Sequence, residues 1–148
     1  MSAPKTLLAF DFGLKRIGIA CGDTVTRQAA PRPAVTVRSE GPDWDAIARE
    51  VRTLAPAVLV VGAPYNAGGG EGTLLSAARR FAAELGHRFA LPVQLIDERF
   101  SSLEASAALK ERRASGQRRR RIARGDIDSA AAAVILTRWF AGEGREGR

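Results

Sequence analysis

Apolar residues fall in short unbroken runs separated by turns. Leu7-Leu8-Ala9-Phe10 is continuous, as a strand covered on both faces would be. It stops at Asp11. Gly13-Leu14-Lys15 reads as a tight turn, with Gly13 supplying the φ > 0 conformation such turns use. Ile17 to Cys21 returns as a second strand, so the stretch is a hairpin with a carboxylate at the end of a buried strand. Thr24 to Pro33 is polar, holds Pro31 and Pro33, and reads as a loop. Ala34 to Arg38 alternates and predicts a third strand.

After the break at Ser39-Glu40-Gly41-Pro42 the period becomes helical. Trp44, Ile47, Ala48, Val51, Leu54 and Ala55 share one helical face, with Asp43 as cap and Pro56 as stop. Val58-Leu59-Val60-Val61 runs unbroken to Gly62 and predicts a buried strand, parallel because a helix precedes it. Ala63 to Gly72 is a Gly-rich loop. Leu74, Ala78, Phe81, Ala82 and Leu85 mark a second helix, which Gly86 would close. Val93 to Ile96 is a fifth strand, followed by Asp97-Glu98-Arg99. Ser101 and Glu104 form a capping-box pattern for a helix reaching Arg113. Ala114 to Gly125 reads as a basic loop. The last helix starts near Asp126 or Asp128, with Ala130, Ala131, Val134, Ile135 and Trp139 on its inner face. The order predicts an α/β domain: a mixed five-stranded sheet, three antiparallel strands then two parallel, flanked by helices. That is also the layout of the RNase H-like fold. Residues 1–141 are expected to form one such domain and 142–148 a polar tail.

A length of 148 residues suits one core. No apolar stretch approaches the length of about twenty residues that spans a membrane, and the start lacks a signal-peptide layout. The single cysteine, Cys21, has no internal disulfide partner. It suits a reducing, cytoplasmic setting and reads as a small core residue. The net charge of +7, from 23 Lys and Arg against 16 Asp and Glu, points to an anionic partner, nucleic acid above all. The basic residues also cluster: Arg112-Arg113, Arg118-Arg119-Arg120-Arg121 and Arg124. Arginine binds phosphate bidentately, so this run reads as a phosphate-contacting segment, or otherwise as a solvated loop.

The acids stand at element ends. Asp11 ends the first strand, Asp97 and Glu98 end the fifth, and Asp126 and Asp128 open the last helix. Sites in open α/β sheets form beyond the carboxyl ends of the parallel strands. Asp11 and Glu98 would meet there, and the last helix would bring Asp128. Clustered carboxylates repel unless a cation joins them. Oxygen-only ligands suit Mg²⁺ or Mn²⁺, which can activate water for phosphodiester cleavage. Lys15 and Arg16 would steer phosphate or neutralise the acids. With His87 the only histidine, no zinc set is available. Each acid also has a plainer reading: Asp11 as a turn cap, Asp128 as a helix N-cap, Glu98 paired with Arg99 or Arg16, Asp126 as an auxiliary ligand or a surface charge. Gly68 to Gly72 lacks the Gly-Lys-Ser/Thr ending of a P-loop and reads as a flexible turn.

Four stretches in order carry a family resemblance. Asp11 to Ala20, Val60 to Asn66, Asp97 to Ala105 and Asp128 to Ala132 resemble the motifs of the YqgF family, also called RuvX. The resemblance spans about Thr6 to Phe140. It implies an RNase H-like fold and a divalent-metal nuclease with its site at Asp11, Glu98 and Asp128. It also implies maturation of the 5′ end of pre-16S rRNA, with branched DNA (Holliday junctions) as a further substrate; the residues leave monomer and homodimer open, a dimer suiting symmetric cutting of two strands. The family's Asp in the Gly-rich loop is missing from Ala63 to Gly70. The competing readings are a non-catalytic RNA-binding factor in ribosome assembly or transcription, and an actin-like ATPase or sugar kinase. The last would need a second domain that 148 residues do not supply.

Overall fold

The computed structural model describes residues 4–63, 73–97 and 124–142. Among these the chain runs β1 (Thr6–Asp11), β2 (Arg16–Asp23), β3 (Ala29–Arg38), β4 (Gly41–Pro42), α1 (Trp44–Leu54), β5 (Val58–Ala63), α2 (Thr73–Phe89), β6 (Val93–Asp97) and α3 (Arg124–Ala141). The strands form one sheet in the order β4-β3-β2-β1-β5-β6. β1 is central, antiparallel to β2 and parallel to β5, and β6 continues parallel to β5.

The predicted architecture holds, with differences that have local causes. The sheet has six strands, not five. After the turn at Ser39 and Glu40 the chain folds back far enough for Val37 to pair with Pro42 and Arg38 with Gly41 before α1 begins. β3 starts at Ala29, inside the stretch expected to be a loop. β4 covers only its last two residues, so Ala29 to Pro33 lies on the sheet edge. There Pro31 and Pro33 lose no ladder bond. Gly13 does not take a positive φ. It is needed for closeness instead, since a Cβ there would stand 2.6 Å from the Arg16 carbonyl oxygen. Gly86 lies within α2, and the left-handed residue past the helix is Ala90, φ 54°. The extra turn places Phe89 against Trp44 and Arg88 over its ring, 4.2 Å from the centroid. The expected helix from Ser101 to Arg113 and the Gly68 to Gly72 turn lie outside the described residues.

The unbroken run in β1 follows from its place. Leu7, Leu8, Ala9 and Phe10 are all fully buried. Leu8 and Phe10 join Ile17, Ile19, Leu59 and Val61 under α1 and α2, with Ile47, Phe81 and Leu85 filling that core. Phe81 meets Phe10 edge-on at 5.7 Å and stacks on Trp44 at 5.5 Å. Leu7, Ala9 and Val60 face the other way, against Ile135, Leu136 and Phe140 of α3. Each such aliphatic or aromatic side chain contributes about 1.5–3 kcal/mol by leaving water. Asp43 caps α1 as predicted, its Oδ1 accepting from the Ala46 N–H at 3.1 Å. Arg32 ties β3 to α1 through both carboxylate oxygens of Glu50, at 2.8 and 3.2 Å.

α3 is anchored at its far end. Trp139 Nε1 donates to Gln94 Oε1 of β6 at 3.0 Å. The Arg27 guanidinium donates to the Phe140 carbonyl, one of the acceptors that a helix end leaves open. No helix among the described residues is long and apolar enough to cross a membrane.

Candidate carboxylate site

The site is built on the end of β1. Asp11 is that strand's last residue and is 8% exposed. By strand alternation it lies on the same face as Leu7 and Ala9, the face α3 covers. Its ladder neighbours on both sides are glycines, Gly18 of β2 and Gly62 of β5. Neither neighbour carries a side chain, and at Gly18 the place a side chain would take is filled by the backbone of α3.

α3 reaches this point by docking on β2. The residues β2 turns toward α3 are Gly18, Ala20 and Gly22, a smooth track. At Gly18 the approach is backbone to backbone: a Cβ would lie 2.0 Å from the Asp128 carbonyl oxygen and 2.6 Å from the Ser129 nitrogen. Ser129 is 2% exposed, and its hydroxyl accepts the Ile19 N–H at 3.2 Å. The bond falls where the β2–β3 register shifts, between Ile17 and Ile19. Gly18 is thus the ladder partner of Asp11 and the residue on which the Asp128 backbone is seated.

Arg16 completes this corner. Its Nε donates to Asp128 Oδ2 at 2.7 Å, a charge-assisted bond in the short range. Among the described residues Asp128 is the partner of Arg16; the pairing of Arg16 with Glu98 lies outside them. Asp128 is also not an N-cap: α3 begins at Arg124, so Asp128 lies one turn inside the helix. The same start places Arg124 in α3 rather than in the basic loop. Lys15 is exposed at the hairpin tip, and its carbonyl accepts the Val37 N–H at 2.9 Å, which pins the tip to β3.

At the third corner, Asp11, Gly62 and Ile96 lie in one row across β1, β5 and β6. Asp97 ends β6 one residue further on, opposite Ala63. The chain thus leaves β6 level with Asp11. Glu98, Arg99 and Arg118 to Arg121 lie outside the described residues.

No group of three or more His, Cys, Asp or Glu able to hold a metal ion occurs among the described residues. What they do show is two acids, Asp11 and Asp128, each against Gly18, the first by strand pairing and the second by its backbone. An all-oxygen donor set of this kind fits a hard divalent cation such as Mg²⁺ or Mn²⁺. Cys21 does not add to it: burial pushes its thiol pKa above the ordinary value, with nearby Glu50 and Asp23 adding to the shift and Arg32 opposing it. It therefore stays a protonated core residue. A concavity of about 290 Å³ lined by Arg38, Glu40, Asp43, Trp44 and Asp45 carries mostly acidic groups and does not suit a phosphate.

The sequence named the acids but missed their supports. Ser129 and Gly18 stood inside recognised motifs without a role. The signal for Gly18 was its place between strand residues in a run otherwise rich in Ile, where a glycine marks close backbone approach.

Comparison with known proteins agrees with this geometry. Residues 5–142 match the model of the family described as RuvX: Holliday junction resolvase. A protein of Escherichia coli O157:H7 (strain EC4115 / EHEC) named "Putative pre-16S rRNA nuclease" is 43% identical over 135 residues, covering 91% of this chain and 95% of the relative. A protein of the same name from Salmonella paratyphi B is also 43% identical over the same share of each chain. Among solved structures, Thermus thermophilus RuvC in complex with a Holliday junction substrate superposes with a TM-score of 0.57 at 16% identity, covering 97% of this chain and 96% of that one. The yeast mitochondrial Holliday junction resolvase Ydc2 gives a TM-score of 0.50 at 11% identity, with 90% and 77% covered. At these identities the structures speak for the fold, which is RNase H-like. The sequence match speaks for the family: the chain belongs to RuvX.

Proposed function

We propose that this chain, a nuclease by family, cleaves phosphodiester bonds with the help of a divalent cation held by Asp11, Glu98 and Asp128. The observation that supports the reading is the docking of α3 on Gly18, the ladder partner of the buried Asp11, with the Asp128 backbone against that glycine. The names of the relatives support pre-16S rRNA as substrate, and the junction complex of the structural neighbour supports branched DNA as a second. The setting is the cytoplasm, and the acting unit is a single domain spanning residues 1–141, as monomer or homodimer.

A bound Mg²⁺ or Mn²⁺ would supply an activated water and neutralise charge on the leaving oxygen. The chain's own residues do the rest. Asp11, held at a strand end with little freedom, presents oxygen donors at a fixed point. Asp128 presents a second set from a helix whose position β2 determines. Lys15 and Arg16 offer positive charge to the phosphate beside the acids, and Arg99, Arg118 to Arg121 and Arg124 extend that field along the nucleic acid. The apolar β1 and β5 beneath the acids keep the dielectric low, which strengthens each of these interactions.

The test is a cleavage assay on wild type and Asp11→Asn. Substrates are a pre-16S rRNA 5′ segment, a four-way DNA junction and single strands of both kinds, each with Mg²⁺, Mn²⁺ or EDTA. Cleavage by wild type alone, and only with metal, is expected. Salt-sensitive binding without cleavage under every condition would instead favour an RNA-binding factor, a role that the charge of +7 serves equally well.

A further inference from the structure

The pairing of Arg16 with Asp128 has a consequence for how a cation reaches the site. We propose that Arg16 is an internal counter-ion: its guanidinium holds Asp128 while no divalent cation is bound, and it must be displaced for one to bind. The inference rests on the metal-dependent reading of the same site.

The backbone contacts decide which partner moves. Asp128 cannot withdraw, because its carbonyl is seated against Gly18 and the next residue, Ser129, is bonded to the Ile19 N–H. Arg16 is fixed through its backbone at the start of β2, opposite Thr36, and among the described residues its side chain is held by Asp128. Its side chain is long and 34% exposed, against 24% for Asp128, so a route to solvent is open. The guanidinium can swing out while the carboxylate stays.

Charge decides that the two cations compete. The 2.7 Å bond places a full positive charge directly on Oδ2. A divalent cation on the same carboxylate would face that charge as a like charge, and like charges in one site disfavour each other. Arg16 therefore lowers the site's affinity for a cation below what the acids alone would give. It also neutralises Asp128 when no cation is present. Once displaced, the guanidinium is a free five-donor fork beside the site, the geometry that matches a phosphate. Cation binding and phosphate capture are then linked through one side chain.

The experiment is a Mn²⁺ titration of the full chain without nucleic acid, following free Mn²⁺ by electron paramagnetic resonance. Wild type is compared with Arg16→Gln and Arg16→Lys, with thermal unfolding run on each to confirm the fold. Arg16→Gln is expected to bind Mn²⁺ about 3- to 10-fold more tightly at low ionic strength, the range for a partly exposed charge pair. Arg16→Lys keeps the charge and is expected to stay close to wild type. A structural role alone would not tighten cation binding. Equal or weaker binding by Arg16→Gln, with wild type binding normally, would overturn this inference and leave the nuclease reading standing. Absence of Mn²⁺ binding in every form would overturn both. Should Arg16→Gln fail to fold, the Arg16 Nε–H resonance of wild type, followed through a Mg²⁺ titration, gives the same answer. Loss of its hydrogen-bonded shift supports displacement, and an unchanged signal at saturation rules it out.

Discussion

Gly18 and Asp128 touch through their backbones: a Cβ added at Gly18 would stand 2.0 Å from the Asp128 carbonyl oxygen and 2.1 Å from its carbon. Backbone cannot step aside as a flexible side chain can. Gly18→Ala should therefore lift the start of α3 off β2, at a cost of about 1–3 kcal/mol or more. Cleavage should fall further than stability, by about 10²-fold, since displacing an acid by about an ångström has that effect. Gly86→Ala is the matched control. The nearest atom to its new methyl group is Val93 Cγ2 at 3.5 Å, and removing a helical glycine should stabilise by about 0.5–1 kcal/mol. Thermal unfolding and single-turnover cleavage of the two variants would separate these outcomes.

Asp11→Asn should abolish cleavage while leaving the fold intact. The amide is the same size as the carboxyl, so the packing on Gly18 and Gly62 is kept. A cooperative unfolding transition like that of wild type, with cleavage reduced by at least about 10²-fold, is the expected pair of results. Unchanged cleavage would remove Asp11 from the site.

Ser129→Ala tests the seam between α3 and β2 without adding bulk. The Ile19 N–H, buried beneath the helix, would lose its acceptor. An unsatisfied buried donor costs about 1–3 kcal/mol. For a chain of this size each kcal/mol corresponds to about 2–4 °C in melting temperature. A drop below that range would mean that another acceptor takes over.

Acid should weaken the β2–β3 turn. Asp23 Oδ1 accepts from the Val25 and Thr26 N–H groups at 2.9 and 2.8 Å. The Thr26 N–H foremost, with those of Val25 and the Thr26 hydroxyl, holds the Asp23 carboxyl below its ordinary value of 3.8. A lowered folded-state pKa stabilises the fold above 3.8 and loses that contribution as the pH falls through the folded value. The difference in melting temperature between wild type and Asp23→Ala should thus be present well above 3.8 and vanish well below it. A difference that persists in acid would show that the turn does not depend on the charge.

Local patterns carried much of this protein. The run Leu7 to Phe10 is buried on both faces because its strand is the centre of the sheet, and an unbroken apolar run is what that position demands. Asp43 announced α1, because a cap is chemistry between residues three apart. Asp11 was legible as a charge where a buried strand stops. Errors came where a neighbour distant in the chain overrode the local signal. Pro31 and Pro33 suggested a loop, but an uncovered sheet edge tolerates them. Gly86 suggested a helix end, but packing of Phe89 on Trp44 carried α2 onward.

By itself, then, the sequence determined the fold class and the family resemblance and pointed to candidate acids, since these rest on residue type and on contacts within a few positions. Only the tertiary structure decided how the acids are held. Asp128 lies one turn inside α3, paired with Arg16 across 112 positions of chain and seated on Gly18. Nothing in the local sequence encodes that distance. It follows from packing one face of a helix on a strand whose residues are small enough to let the backbones touch.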